Sequence, residues 1–160
     1  GGEFLSAGME AALRIAQWDG AEWRPLGPPG SGLGGGAPLV MASFDDGTGP
    51  ALLVCGDFES AGGKPANHIA RWNGSEWSQV DGGFDWVSSM AVFDDGRGPA
   101  PYVLGEKDGQ QSMTLYRLEA GKWKGLGPAP HSAERGMVDR IDDLGDPRNA
   151  GDIAHATRVG

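Results

Sequence analysis

A nine-residue motif that occurs twice, identical at six positions, constrains this chain more than any other feature of it. Ile15-Ala16-Gln17-Trp18-Asp19-Gly20-Ala21-Glu22-Trp23 returns as Ile69-Ala70-Arg71-Trp72-Asn73-Gly74-Ser75-Glu76-Trp77, and a fainter copy runs from Leu115-Tyr116-Arg117-Leu118 to Trp123. A second motif, Met41-Ala42-Ser43-Phe44-Asp45-Asp46-Gly47-Thr48-Gly49-Pro50, returns as Met90-Ala91-Val92-Phe93-Asp94-Asp95-Gly96-Arg97-Gly98-Pro99. The step from the Ile or Leu to the second Trp is 8 residues in all three copies, and Phe44 to Gly56 and Phe93 to Gly105 are both 12. The joins vary instead, with 13 residues from Gly2 to Ile15 and from Gly56 to Ile69 but 10 from Gly105 to Leu115. Whole-unit periods of 54 and 46 residues, Trp23 to Trp77 and Trp77 to Trp123, belong to solenoids, propellers or arrays, whose units bury their apolar faces only against neighbours.

Four short runs occupy the middle unit: Leu39 to Phe44, Ala51 to Cys55, Ile69 to Trp72 and Glu76 to Val80. Asp19-Gly20 and Asn73-Gly74 join the last two runs in successive units, and such pairs accept the positive φ of a tight hairpin turn. No run repeats apolar residues at the i, i+3, i+4, i+7 spacing of an amphipathic helix, so four-stranded antiparallel units are expected. Leu39-Val40-Met41-Ala42 and Leu52-Leu53-Val54-Cys55 are apolar or small on both faces. A sheet wetted on one side would alternate, so both faces must be covered.

These two motifs resemble a degenerate family of β-propeller repeats of large bacterial proteins, written loosely FDDGxGPALYVGGxF followed by IARWDGxxWxxL; kelch and WD repeats are more distant relatives. The resemblance covers residues 1–126 and implies an all-β partial propeller of about three blades. Residues 1–26 would supply the last three strands of one blade, 38–80 a full blade, and 87–126 a full but degenerate one. Residues 127–160 break the period and are expected to be a linker and irregular tail, with a short helix possible at Asn149 to Ala154. A closed ring takes four to eight blades. The chain is therefore expected to be a fragment of a larger ring or to need partners: remaining blades of the same protein, or a homo-oligomer. The resemblance also implies export, to an extracellular or periplasmic place.

Composition narrows function by exclusion. A formal charge of −9 with 13 Lys and Arg argues against nucleic acid, whose phosphates require clustered cations. No apolar stretch approaches the length of a membrane span, so no membrane insertion is expected. Cys55 is the one cysteine, and aligned with Leu104 it reads as a small buried hydrophobe. His68, His131 and His155 share no metal-ligand spacing, no Ser-His-Asp set stands out, and the Gly30 to Gly36 stretch precedes a strand rather than the helix start a phosphate loop needs, so it reads as a flexible connection. No cofactor is implied.

Three groups of residues are candidates for a site. Asp45, Asp46, Asp94 and Asp95 offer paired carboxylates to calcium. The Gly-Thr-Gly-Pro or Gly-Arg-Gly-Pro that follows brings no further acid, and Asp-Gly is also what a tight turn selects, so turns are preferred. Trp18, Trp23, Trp72, Trp77 and Trp123, with Phe44 and Phe93, recur at fixed strand positions and are assigned to packing between blades rather than to a sugar platform. Phe84 and Trp86 fall outside the repeated positions, in a connection, and are the aromatic candidates for a protein or carbohydrate ligand. The expected function is non-catalytic, a repeat module for binding or display. The alternative is a piece of a propeller enzyme, such as a carbohydrate-active hydrolase, whose catalytic loops lie on other blades.

Overall fold

The computed structural model describes residues 1–110 and 112–129, so the expected tail from 130 onward, with its helix at Asn149, His131 and His155, lies outside the described residues. All regular structure among them is β, in several small antiparallel sheets, none of which closes on itself. The first unit consists of two hairpins, β1 (Ser6–Ala7) with β2 (Glu10–Ala11) and β3 (Ala16–Trp18) with β4 (Trp23–Pro25). It contributes no longer strand at Gly1 and Gly2, so the expected three strands of this unit reduce to two plus a small hairpin.

The second unit opens with β5 (Leu33–Gly34), followed by β6 (Pro38–Asp45), β7 (Pro50–Gly56), β8 (Ser60–Ala61), β9 (Lys64–Pro65), β10 (Ile69–Trp72) and β11 (Trp77–Gln79). Its four main strands pair in the meander order β6-β7-β10-β11, as the four sequence runs require. The third unit, β12 (Trp86–Asp94), β13 (Pro99–Glu106), β14 (Thr114–Glu119) and β15 (Lys122–Pro128), forms the same meander. β15 runs past the expected boundary at 126, because a bulge between Leu115 and Tyr116 lets Leu115 pair Gly127 and Thr114 pair Pro128.

Register explains the two-sided apolar pattern. Met41 pairs Val54 and Val54 pairs Ala70, while Leu52 pairs Trp72 and Trp72 pairs Trp77, so these side chains share one face. Leu53, Cys55 and Ile69 point the other way, since side chains alternate along a strand. The first face packs on Ile15, Leu26 and Leu33 of the preceding unit and its connection, with Phe58 and Ala61 completing the core. The second packs on Val87, Met90, Val103, Tyr116 and Trp123 of the following unit. The second sheet is thus covered on both sides by copies of its own motif.

The Gly30 to Gly36 stretch differs from its reading as a flexible connection. Leu33 and Gly34 pair with Ala61 and Ser60, so this glycine-rich segment is one strand of a small sheet with β8 and β9. Its glycines allow backbones to touch: a Cβ on Gly32, whose φ is +145°, would lie 2.1 Å from the Leu13 carbonyl oxygen. A methyl group there would displace backbone rather than a side-chain tip, which no rotamer change relieves.

Candidate functional site

The recurrent aromatics define the best-built site, and it is an interface between units. Trp72 and Trp77 face each other across the β10–β11 pair with ring centroids 5.3 Å apart. Both are buried, at 8% and 3% exposure, and the Trp77 indole N–H donates to the Leu26 carbonyl of the preceding unit at 2.9 Å. Gly62, in the turn between β8 and β9, lies against the same ring: its φ is +57°, and a Cβ there would meet Trp77 Cδ1 at 2.7 Å. In the third unit Trp123 is buried with Phe84 and Tyr116. Its backbone N–H donates to Asp81 at 2.7 Å, whereas its indole N–H is buried without an acceptor among the described residues.

Trp18 and Trp23 occupy the same strand positions in the first unit but are 54% and 48% exposed. Their ring pair has nearly the same geometry, 5.6 Å between centroids and 56° between planes against 47° for Trp72 and Trp77. Local sequence sets the pair, and a neighbouring unit supplies the burial. Among the described residues no such neighbour stands in front of Trp18 and Trp23.

The Asp-Asp-Gly loops are self-satisfied turns. Asp45 Oδ1 accepts from the Gly47 and Gly49 backbone N–H groups at 2.8 and 3.0 Å, and Asp94 does the same for Gly96 and Gly98 at 2.9 and 3.0 Å. Asp46 and Asp95 accept from the amides of Thr48 and Arg97. Bonds from the Thr48 hydroxyl and amide hold the Asp46 carboxyl below its ordinary value. The Arg97 guanidinium does so more strongly for Asp95. Each loop is also gripped by an arginine of the third main strand. Arg71 lies 3.6 Å from Asp46 and donates to Thr48 Oγ1 at 2.9 Å. Arg117, itself buried, donates to the Gly98 carbonyl at 3.0 Å and to the Tyr102 hydroxyl at 2.9 Å. Sequence reasoning did not single out this pair, although Arg at the same place in Ile69-Ala70-Arg71-Trp72 and Leu115-Tyr116-Arg117-Leu118 was a visible signal. Asp45 and Asp94 each hold their turn through Oδ1, and no three His, Cys, Asp or Glu among the described residues converge on one point.

The other candidates separate. Phe84 is only 3% exposed, edge-on to Tyr116 and Trp123 at 5.2 and 5.4 Å with the Lys107 ammonium over its ring, so it is a core residue with no open face for a ligand. Trp86 is 44% exposed and begins β12 opposite Glu106, rather than sitting in a free connection. Phe44 and Phe93 are half-buried; Phe44 packs on the core between the second and third units, and Phe93 stands edge-on to Tyr102 at 6.0 Å. Cys55 is fully buried, and that burial pushes its thiol up to about 12, which leaves almost no thiolate at neutral pH. His68 is half-buried at φ +68° with Nδ1 3.0 Å from the Gly56 carbonyl, a bond that ties its ring to the end of β7.

A cleft of about 160 Å³ lies between the second and third sheets, lined by Phe44, Leu53, Arg71, Val80 and Leu118 with Asp46 and Asp81. That is below the roughly 300–1,000 Å³ of small-molecule sites. Comparison with family models, with curated proteins and with solved structures yields no match.

Proposed function

We propose that the chain is a run of β-propeller blades serving as a non-catalytic module for binding or structural display, part of an exported protein whose further blades or copies complete the stack. The observation that carries this reading is the second sheet, sandwiched between copies of its own motif with Trp72 and Trp77 at one face and Leu53, Cys55 and Ile69 at the other. Repetition of one interface is the physics of stacked-unit proteins, in which each unit is stable only through its neighbours. The Asp loops and their arginines support the same reading, since they hold turns in place between strands. Among the described residues no helix is long and apolar enough to cross a membrane.

Trp86 is the exposed aromatic best placed to meet a ligand, at the start of a rigid strand. The test is to probe glycan and peptide arrays with the purified chain and with Trp86→Ala, alongside chromogenic glycosides. Selective binding lost in the variant, with no turnover, is expected. Hydrolysis by the chain would replace this reading with that of an enzyme fragment, and binding undiminished by Trp86→Ala would move the ligand surface elsewhere.

A further inference from the structure

We propose that the first unit takes up an added strand on the free edge of β1: an extended segment with a glycine-flanked leucine, donated by a further unit of the same repeat upstream in the polypeptide. The inference rests on the stacked-repeat reading above and deepens it by naming the edge, the segment and the bonds between them.

The second unit shows the finished arrangement. Gly2, Phe4, Ser6, Ala7 and Gly8 return 54 residues later as Gly56, Phe58, Ser60, Ala61 and Gly62. Both hairpins fold in one register, Ser6 opposite Ala11 and Ser60 opposite Pro65, with Gly8 at φ +63° and Gly62 at φ +57°. In the second unit β5 adds to the β8 edge: the Glu59 and Gly62 N–H groups donate to the Gly34 and Gly32 carbonyls at 2.9 and 2.8 Å. Leu33, between those carbonyls, is fully buried in one core with Phe58, Ala61, Trp72 and Trp77. The segment that ends in β5 begins at Leu26, whose carbonyl accepts from the Trp77 indole.

The first unit repeats this arrangement without the segment. Among the described residues β1 pairs only with β2, and the Leu5 and Gly8 amides, which stand where Glu59 and Gly62 do, make no backbone bond. The residues equivalent to the Leu33 core lose their cover together. Phe58 and Ala61 are buried but Phe4 and Ala7 only half-buried, and Trp18 and Trp23 are open where Trp72 and Trp77 are enclosed. An edge of free N–H groups beside an apolar face accepts an extended segment through main-chain bonds, while the pocket at its side selects the residue that enters. Ser6 fixes what must follow the leucine. A Cβ on Gly34 would lie 2.4 Å from Ser60 Oγ, and Ser6 repeats Ser60, so the incoming strand needs glycine there. Among the described residues the one connection of this kind, Leu26 to Gly34, is already engaged by the second unit. A folded second copy therefore has none to offer, and the donor is a further unit.

Placing a copy of residues 1–54 ahead of Gly1 of the full chain, in phase with the 54-residue step, supplies such a donor and tests the proposal. In this longer chain Trp23→Ala of the original copy is expected to lower the urea midpoint at least about twice as far as it does in the parent, since the ring is then buried. Leu33→Asp in the added copy should cancel the difference. Equal shifts in the two chains overturn the proposal. So does a difference that survives Leu33→Asp, because the cover then comes from another part of the added copy. If the longer chain shows no β signal by far-UV circular dichroism, a peptide of the sequence Pro25 to Ala37 is added to the isotope-labelled parent chain and followed by NMR. Shifts at the Leu5 and Gly8 amides and the Trp23 indole are expected, with none from the same peptide carrying Leu33→Asp; no shift at millimolar peptide overturns the proposal. These failures leave the stacked-repeat reading intact, because that reading depends on the enclosed Trp77 and on the arrays, not on the β1 edge.

Discussion

Replacing Trp77 by Ala removes the centre of the first interface, and the structure sets the size of the loss. The ring is 3% exposed, packed on Trp72 and under Gly62, and bonded to the Leu26 carbonyl. Truncating a buried Trp to Ala costs about 3–5 kcal/mol. Part of that is the lost indole bond, about 0.5–1.5 kcal/mol, since the Leu26 carbonyl still accepts from the Ser31 hydroxyl at 3.0 Å. Trp77→Phe separates the contributions: it keeps most of the apolar contact and loses the indole bond, for an expected cost of about 1–2 kcal/mol. Trp23→Ala is the internal control, a residue of the same repeat position with half its surface in water, expected to cost about 1 kcal/mol through its pairing with Trp18. Urea unfolding followed by far-UV ellipticity gives all three numbers. A loss below about 1 kcal/mol for Trp77→Ala, or equal losses for Trp77→Ala and Trp23→Ala, would refute the argument that burial between units distinguishes the two tryptophans.

Two further outcomes test the loops. Millimolar calcium should leave the thermal midpoint nearly unchanged, because Oδ1 of Asp45 and of Asp94 is held by two backbone amides in its own turn; a rise of several degrees would return these carboxylates to metal binding. Acid should weaken the chain through Asp95, whose carboxyl is held well below the ordinary carboxylate range first of all by the Arg97 guanidinium. A depressed folded pKa means stabilisation present above the unfolded value and lost as pH falls below it. Asp95→Asn should therefore be less stable than the parent at neutral pH, with the difference shrinking below about pH 4; a difference that does not change with pH would remove the Arg97 pairing as its cause.

Much of the fold was readable because its signals are local. Asn73-Gly74 selects the β10–β11 turn: the Asn73 carboxamide accepts from the Ser75 and Glu76 amides and Gly74 takes φ +96°. The four runs of the middle unit reappear as strands within a residue or two of their expected limits. The Asp-Asp-Gly loops were identified as turns from composition, and the bonds from their own amides are what such a turn consists of. The arginines gripping them were not singled out. A lone Arg on a strand has many partners available in principle, and only the pairing of β7 with β10 and of β13 with β14 brings it to the loop.

The amino-acid sequence by itself determined the repeat, the hairpins and the two-faced apolar strands, since each depends on residues within a few positions of one another along the chain. Tertiary structure alone decided which copies of a repeated residue are covered. Trp77 and Trp23 sit in the same local sequence, yet one is enclosed and the other half in water, because burial is supplied by a unit some fifty residues away and not by the strand itself. The same reason moved Phe84 from the ligand candidates into the core. It also made the Gly30 to Gly36 connection a paired strand: glycines that suggest freedom when the chain is read in one dimension are the residues that let two backbones meet in three.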